Sequence, residues 1–198
     1  MAAAGPEDLS HGYEAVSHDF ITYRTRSAIG ADTVRKWAEA LPPGGDVLDL
    51  GCGPGVPITA TLMDLGFRLH GVDASPSMVA EFRARFPEIP IECGSVEHSR
   101  FFGRTFDGVV AWGLMFLLST ADQAHLVRTM SALLKPGGRL LFTAPREICT
   151  WQDSLTGRES VSLGWEEYRR LLEAERLVEI GEAEDEGDNH YCFARKPT

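Results

Sequence analysis

The chain has 198 residues, with 19 Lys and Arg against 29 Asp and Glu, for a formal net charge of −10. That length suits a single globular domain over residues 1–198 burying roughly 70% of its unfolded surface, and 43% hydrophobic with 24% charged residues excludes global disorder. The acidic balance argues against a nucleic-acid partner, whose phosphates call for a basic patch or stripe.

Residues 1–8 have neither the basic start nor the apolar stretch of a signal peptide. The pattern then turns helical over residues 13–41, with Phe20, Tyr23, Val34, Trp37 and Leu41 as expected buried positions and Asp32 as an expected N-cap. Residues 1–41 read as a helical lid or cap segment, and Pro42-Pro43-Gly44-Gly45 ends it. Residues 46–198 then read as one core. Asp46-Val47-Leu48-Asp49-Leu50 is a short apolar run ending in glycines, the mark of a buried strand.

From there strands and helices alternate: helix 58–65, strand 68–72, a helix opened by Ser75-Pro76, and strand 89–93. Strand 106–111, helix 120–134 and strand 139–143 follow. The longest apolar run, residues 109–118, is about half of the roughly 20 residues a membrane span needs. Residues 145–164 read as an irregular connection long enough to serve a substrate. Helix 164–175 and strands 177–183 and 191–195 close the chain. Apolar strands alternating with helices imply a doubly wound, mostly parallel sheet, expected to have seven strands. The short link 184–190 allows the last two strands only an antiparallel pairing, so the C-terminal edge is expected to be antiparallel. Cys52, Cys93, Cys149 and Cys192 form no C-x-x-C pair, so neither metal site nor disulfide framework is expected, and the reading is a reduced cytoplasmic protein, monomer or homodimer.

In such sheets the ligand lies beyond the C-terminal strand ends. The first turn is Asp49-Leu50-Gly51-Cys52-Gly53-Pro54-Gly55, whose alternate glycines let the backbone approach a ligand closely. It departs from G-x-G-x-x-G, because Val56 and Pro57 occupy the region of the third glycine. A carboxylate at Asp49 opposes a pyrophosphate and suits a ligand bearing an ammonium group.

Val47-Leu48-Asp49-Leu50-Gly51-Cys52-Gly53-Pro54-Gly55 resembles the first motif of class I S-adenosylmethionine-dependent methyltransferases. Gly71-Val72-Asp73-Ala74-Ser75-Pro76-Ser77-Met78, Phe106-Asp107-Gly108-Val109-Val110-Ala111 and Leu134-Lys135-Pro136-Gly137-Gly138-Arg139-Leu140 resemble three later motifs in order. The resemblance covers roughly residues 47–143. It implies S-adenosylmethionine as cofactor, with S-adenosylhomocysteine as product, and Asp73 on the ribose hydroxyls. It further implies Asp49 at the methionine end, through the ammonium or a bridging water, along the backbone of Gly51, Cys52, Gly53 and Gly55. Ala74, Met78 and Val96 are candidate purine contacts, although core packing explains Met78 equally well. Ser95 stands where the family carries an adenine-binding Asp, so Ser95 or Glu97 is the candidate replacement.

Methyl transfer from a sulfonium is an in-line displacement that rests on orientation, worth roughly 7–11 kcal/mol, more than on an acid or base. Candidate acceptor-side residues are Tyr13, Tyr23 and Arg24 before the sheet, Trp112 after the fourth strand, which also borders the cofactor, and Arg146 and Trp151 in the long connection. His190 and Tyr13 are weak candidates for a base, His190 reading more readily as a hydrogen-bonded strand-edge histidine. The expected partner is a small-molecule methyl acceptor taken at N, O or S. The alternatives are a macromolecular acceptor, a non-catalytic cofactor-binding module, and a nicotinamide-dependent dehydrogenase, the last resting on shared fold alone.

Overall fold

In the computed structural model, which describes residues 8–198, helices and strands alternate as the apolar runs dictate. Helices α1 (Ser17–Thr25) and α2 (Ala31–Ala38) precede β1 (Asp46–Leu50), which is buried at every position. Then follow α3 (Ile58–Asp64), β2 (Arg68–Asp73), α4 (Pro76–Arg85), β3 (Ile91–Cys93) and β4 (Phe106–Ala111). The second half runs α5 (Thr120–Leu133), β5 (Leu134–Thr143), β6 (Ile148–Gln152), β7 (Glu159–Leu163), α6 (Trp165–Ala174), β8 (Val178–Glu184) and β9 (His190–Arg195).

Seven strands form one sheet in the order β3-β2-β1-β4-β5-β9-β8. The sheet is doubly wound and mostly parallel, as the apolar runs required. β9 alone runs against its neighbours, pairing antiparallel with both β5 and β8. The reversed strand therefore sits one place in from the edge, and β8 takes the edge itself. β1 leads outward to β2 and β3 on one side, while β4 lies on its other side, so the strand order reverses between β1 and β4. Leu48, Val109, Leu140 and Phe142 pack with α5 and α6 on one face; Val47, Val110 and Leu141 pack with α2 and α3 on the other.

Several local expectations need correction. Residues 13–41 hold two short helices, and Gly30, in the left-handed region at φ +90°, is the N-cap of α2, while Asp32 lies within its first turn and pairs with Arg35. Tyr23 is 59% exposed, because α1 shows that side to water. Ser75 does cap α4, its hydroxyl accepting from the Met78 N–H. The 145–164 connection is a β6–β7 hairpin, with Trp151 opposite Ser160. Its polar and aromatic alternation carried no apolar run to betray it. A buried network docks it: Gln123 donates to the carbonyls of Leu118 and Val161 and accepts from Tyr168, whose own oxygen accepts from the Leu163 N–H. Among the described residues no helix is long and apolar enough to cross a membrane.

The β1–α3 turn depends on its glycines. Gly51, Gly53 and Gly55 lie at φ +65°, +54° and +79°. At Gly55 a Cβ would come within 2.4 Å of Phe86 and 3.0 Å of Phe82, the aromatic pair against which the turn is pressed. Gly55→Ala is accordingly expected to lower unfolding free energy by about 2–4 kcal/mol in urea titration, combining left-handed strain with overpacking.

Candidate active site

A cleft of about 990 Å³, counting its open mouth, lies beyond the C-terminal ends of β1, β2, β3 and β4, where the strand order reverses. The glycine turn forms its floor. Both Gly51 and Cys52 donate their N–H groups to the Val72 carbonyl, which ties the turn to β2.

Asp49 and Asp73 stand at the tips of adjacent strands. Asp73 is fixed by two backbone donors, the Gly53 N–H on one oxygen at 2.8 Å and the Ser75 N–H on the other at 2.9 Å. Each oxygen keeps a lone pair for a ligand. Asp49 is 2% exposed and accepts from the Thr59 hydroxyl at 2.6 Å. Withdrawal from water pushes its carboxyl up to about 7, against the Thr59 hydrogen bond and aided by the Asp73 charge. Burial likewise raises Asp73 and drives the Cys52 thiol well above its usual range, so Cys52 is an inert part of the floor.

At the far end, over β3, the Ser95 hydroxyl is engaged with His98 Nδ1 at 3.0 Å. Glu97 presents one oxygen 3.8 Å from His11 Nε2, while its other oxygen is buried with no hydrogen-bond partner. The neighbouring His11 holds this carboxyl down at about 2. Ala74, Met78 and Val96 line the same end.

The near end is walled by the β4–α5 connection. Trp112 donates from its indole nitrogen to the Tyr191 hydroxyl at 2.7 Å, and Tyr191 donates to Asp185 at 2.7 Å. The Arg24 guanidinium stacks on the Trp112 ring, 4.0 Å from its centroid. Arg24 is 4% exposed, lines the cleft, and meets no hydrogen-bond acceptor among the described residues. Its desolvation lowers its pKa, and the opposing field comes from Tyr23, Tyr191, Asp49 and Asp185.

The N-terminal segment covers the cleft as a strap held at both sides. Glu14 accepts from the hydroxyls of Ser75 and Ser77 and from the Ser77 N–H at the start of α4. Tyr13 donates to Asp153 at 3.0 Å, and Arg158 pairs with Asp8 at 2.7 Å, so the hairpin turn fastens the other side. Leu9, Ser10, His11 and Phe20 of this strap face the cleft, together with Phe116 and Leu117. Sequence reading passed over His11 and Phe116. The apolar stretch after β4 was the one available signal for Phe116, and nothing in the local sequence marks His11.

Five expected residues are not brought to the cleft wall. Gly55 packs beneath the turn. Tyr23 points to a separate shallow surface depression. Arg146 is engaged with Glu182 at 3.1 Å, and Trp151 sits behind the wall, its ring 5.4 Å from that of Phe116. His190 also lies outside: its ring nitrogens meet the Ala144 carbonyl at 3.1 Å and Glu182 at 2.8 Å, which commits both to partners away from the cleft.

The profile of a methyltransferase domain matches residues 47–138. A ubiquinone biosynthesis O-methyltransferase from Methylobacterium sp. (strain 4-46) is 32% identical over 192 residues, covering 90% of this chain and 74% of that protein. The chain belongs to the class I S-adenosylmethionine-dependent methyltransferases. A second ubiquinone biosynthesis O-methyltransferase, from Methylobacterium nodulans, is 30% identical and is spanned over 64% of its length. The same fold recurs in the S-adenosylmethionine-bound amino pentose methyltransferase of Micromonospora echinaspora, at TM-score 0.71 and 22% identity over 91% of this chain and 96% of that one. It recurs again in the Burkholderia thailandensis 1,6-didemethyltoxoflavin-N1-methyltransferase bound to S-adenosylhomocysteine, at TM-score 0.70 and 21% identity over 99% and 94%. The cofactor of this methyltransferase is therefore S-adenosylmethionine.

The buried Asp49 has a consequence for the ligand-free enzyme. Its folded pKa lies above its unfolded value, so the folded state holds the extra proton and stability falls as pH rises from about 4 to 7. Asp49→Asn is expected to remove up to about 1.4 kcal/mol of this loss per pH unit in urea titrations across that window.

Proposed function

We propose that this methyltransferase moves the methyl group to a nucleophilic N, O or S atom of a small molecule by in-line displacement. The observation that carries the reading is the pair Asp49 and Asp73. These are two buried carboxylates on adjacent strand tips, one held open by two backbone donors and the other withdrawn beside a cation. Asp73 takes the ribose hydroxyls with its remaining lone pairs. Asp49 takes the ammonium of the methionine end, and the incoming positive charge compensates a carboxylate that is costly to ionise alone.

The methionine end is a zwitterion, and Arg24 supplies the complementary cation. Its guanidinium is the buried group of the cleft with donors to spare, and it feels the Asp49 charge across the same space. We therefore assign Arg24 to the cofactor carboxylate, where the sequence reading had it among acceptor residues. At the adenine end, Glu97 fits better than Ser95. Its buried oxygen lacks a partner and can accept from the adenine amino group, whereas the Ser95 hydroxyl is already engaged.

Once the cofactor fills the polar floor, the remaining wall is made of Phe20, Trp112, Phe116 and Leu117 beneath the strap. That space suits a compact, largely apolar acceptor. Fixing it against the methyl group is the main catalytic contribution available to these residues.

Calorimetric titration is expected to show micromolar binding of S-adenosylmethionine and S-adenosylhomocysteine, with no heat from NAD. Asp73→Ala should weaken both ligands by about 10–100-fold, as expected for one lost charge-assisted contact. Arg24→Met should weaken S-adenosylhomocysteine by a similar factor yet leave 5′-methylthioadenosine, which lacks the carboxylate, nearly unchanged. Equal weakening of the two ligands would show that Arg24 supports the fold of the strap rather than the carboxylate.

A further inference from the structure

We propose, on the basis of the methyl-transfer reading above, that the acceptor supplies its own ionised nucleophile. It is a flat aromatic molecule bearing an acidic hydroxyl or thiol, methylated as phenolate or thiolate with no base from the protein.

Each titratable side chain that lines the cleft among the described residues is engaged elsewhere or is unfit to take a proton. Asp73 and Asp49 are committed to ribose and ammonium, and the ammonium holds Asp49 ionised with its lone pairs occupied. Glu97 and His11 face each other over β3, at the opposite end from the β4–α5 wall. Cys52 lies in the floor with its thiol held neutral by burial. Arg24 is a cation and offers no lone pair. Tyr13 remains, and its hydroxyl donates to Asp153 while burial and that carboxylate raise its pKa far above neutrality. Asp153 cannot relay a proton either, since its other oxygen accepts from the Leu155 and Thr156 N–H groups and the Thr156 hydroxyl.

A cleft of this kind selects among acceptors by charge. An alkyl amine enters as an ammonium with its lone pair blocked, and an aliphatic hydroxyl enters neutral; each needs a proton removed by a group that the described lining does not supply. An ionised acceptor needs none. Its electron pair forms the new bond to the methyl carbon, the carbon–sulfur bond breaks, and that pair returns to sulfur as the neutral thioether. One negative and one positive charge disappear and no proton moves. Charge annihilation is favoured where water is excluded, and the near end is walled by Trp112, Phe116 and Leu117 of the β4–α5 connection. Trp112 is held by the Tyr191 hydrogen bond and Phe116 by the Trp151 ring, so these aromatic faces are fixed before an acceptor arrives.

The test measures S-adenosylhomocysteine release with 4-nitrophenol, 4-chlorophenol, phenol and thiophenol, beside benzyl alcohol and benzylamine, from pH 5 to 10. The aromatic acceptors are expected to be turned over, with the pH midpoint of kcat/KM moving from one acceptor to the next with that acceptor's own pKa. Benzyl alcohol and benzylamine should fall about 100-fold or more behind, the contribution of a missing base. A single midpoint shared by all acceptors would reveal a protein base and overturn the proposal. Preference for the amine or the alcohol, or no turnover of any aromatic acceptor, would overturn it as well. Calorimetric binding of S-adenosylhomocysteine, run on the same preparation, separates these outcomes from failure of the methyl-transfer reading, which would show as no binding at all.

Discussion

The structure is organised around a carboxylate almost wholly withdrawn from water. Asp49 lies one residue from the end of β1, an interior strand of a sheet covered on both faces, where an isolated negative charge is expensive. Its surroundings lower that cost only in part: a hydroxyl from α3, a guanidinium from α1, and a glycine turn that leaves the space above it open. The fold therefore retains an unmet demand for positive charge at one point. The second carboxylate, Asp73, differs in kind, because two backbone donors orient it and leave it ready for hydroxyl groups. One group sets charge and the other sets orientation.

Around this fixed floor the covering parts hold each other rather than the sheet alone. The strap is fastened to α4 through Glu14 and to the hairpin turn through Tyr13 and Asp8. Single surface ion pairs contribute little. Here several weak ties act across two separate segments, so the strap and hairpin turn form one cover over the cofactor space.

Much of this was legible in the sequence, and the reasons are local. Apolar strand runs at residues 46–50 and 106–111 have no other stable use than a buried parallel sheet, and Ser75-Pro76 marks a helix start by capping chemistry alone. The glycine spacing with Asp49 and Asp73 located the cleft because those residues act through the backbone of adjacent turns. What escaped was set by long-range packing. The 148–163 hairpin has the polar alternation of an edge ribbon and is stabilised by Gln123 and Tyr168, which are distant in sequence. His190 looked like a candidate base because its type permits it; only the fold reveals that Ala144 and Glu182 occupy both nitrogens. The placement of Arg24 over Trp112 joins residues from α1 and the tip of β4, a pairing that no spacing rule encodes.

The docking of the hairpin through Gln123 and Tyr168 divides the molecule along the line between β1 and β4. The side toward β2 and β3 carries Asp73 and Glu97, the groups proposed to read ribose and adenine. The side toward β5 carries the hairpin, the Trp112 wall and the Tyr191–Asp185 chain behind it. The hairpin's strands dock on α5 and α6, far from the glycine turn, so they can be exchanged provided that Asp153 and Arg158 of the connecting turn keep their ties to the strap. Such grafts would reshape the wall behind Phe116 and Trp112 while leaving Asp49, Asp73 and the glycine turn intact, giving the scaffold a modular route to new chemistry on a constant methyl source.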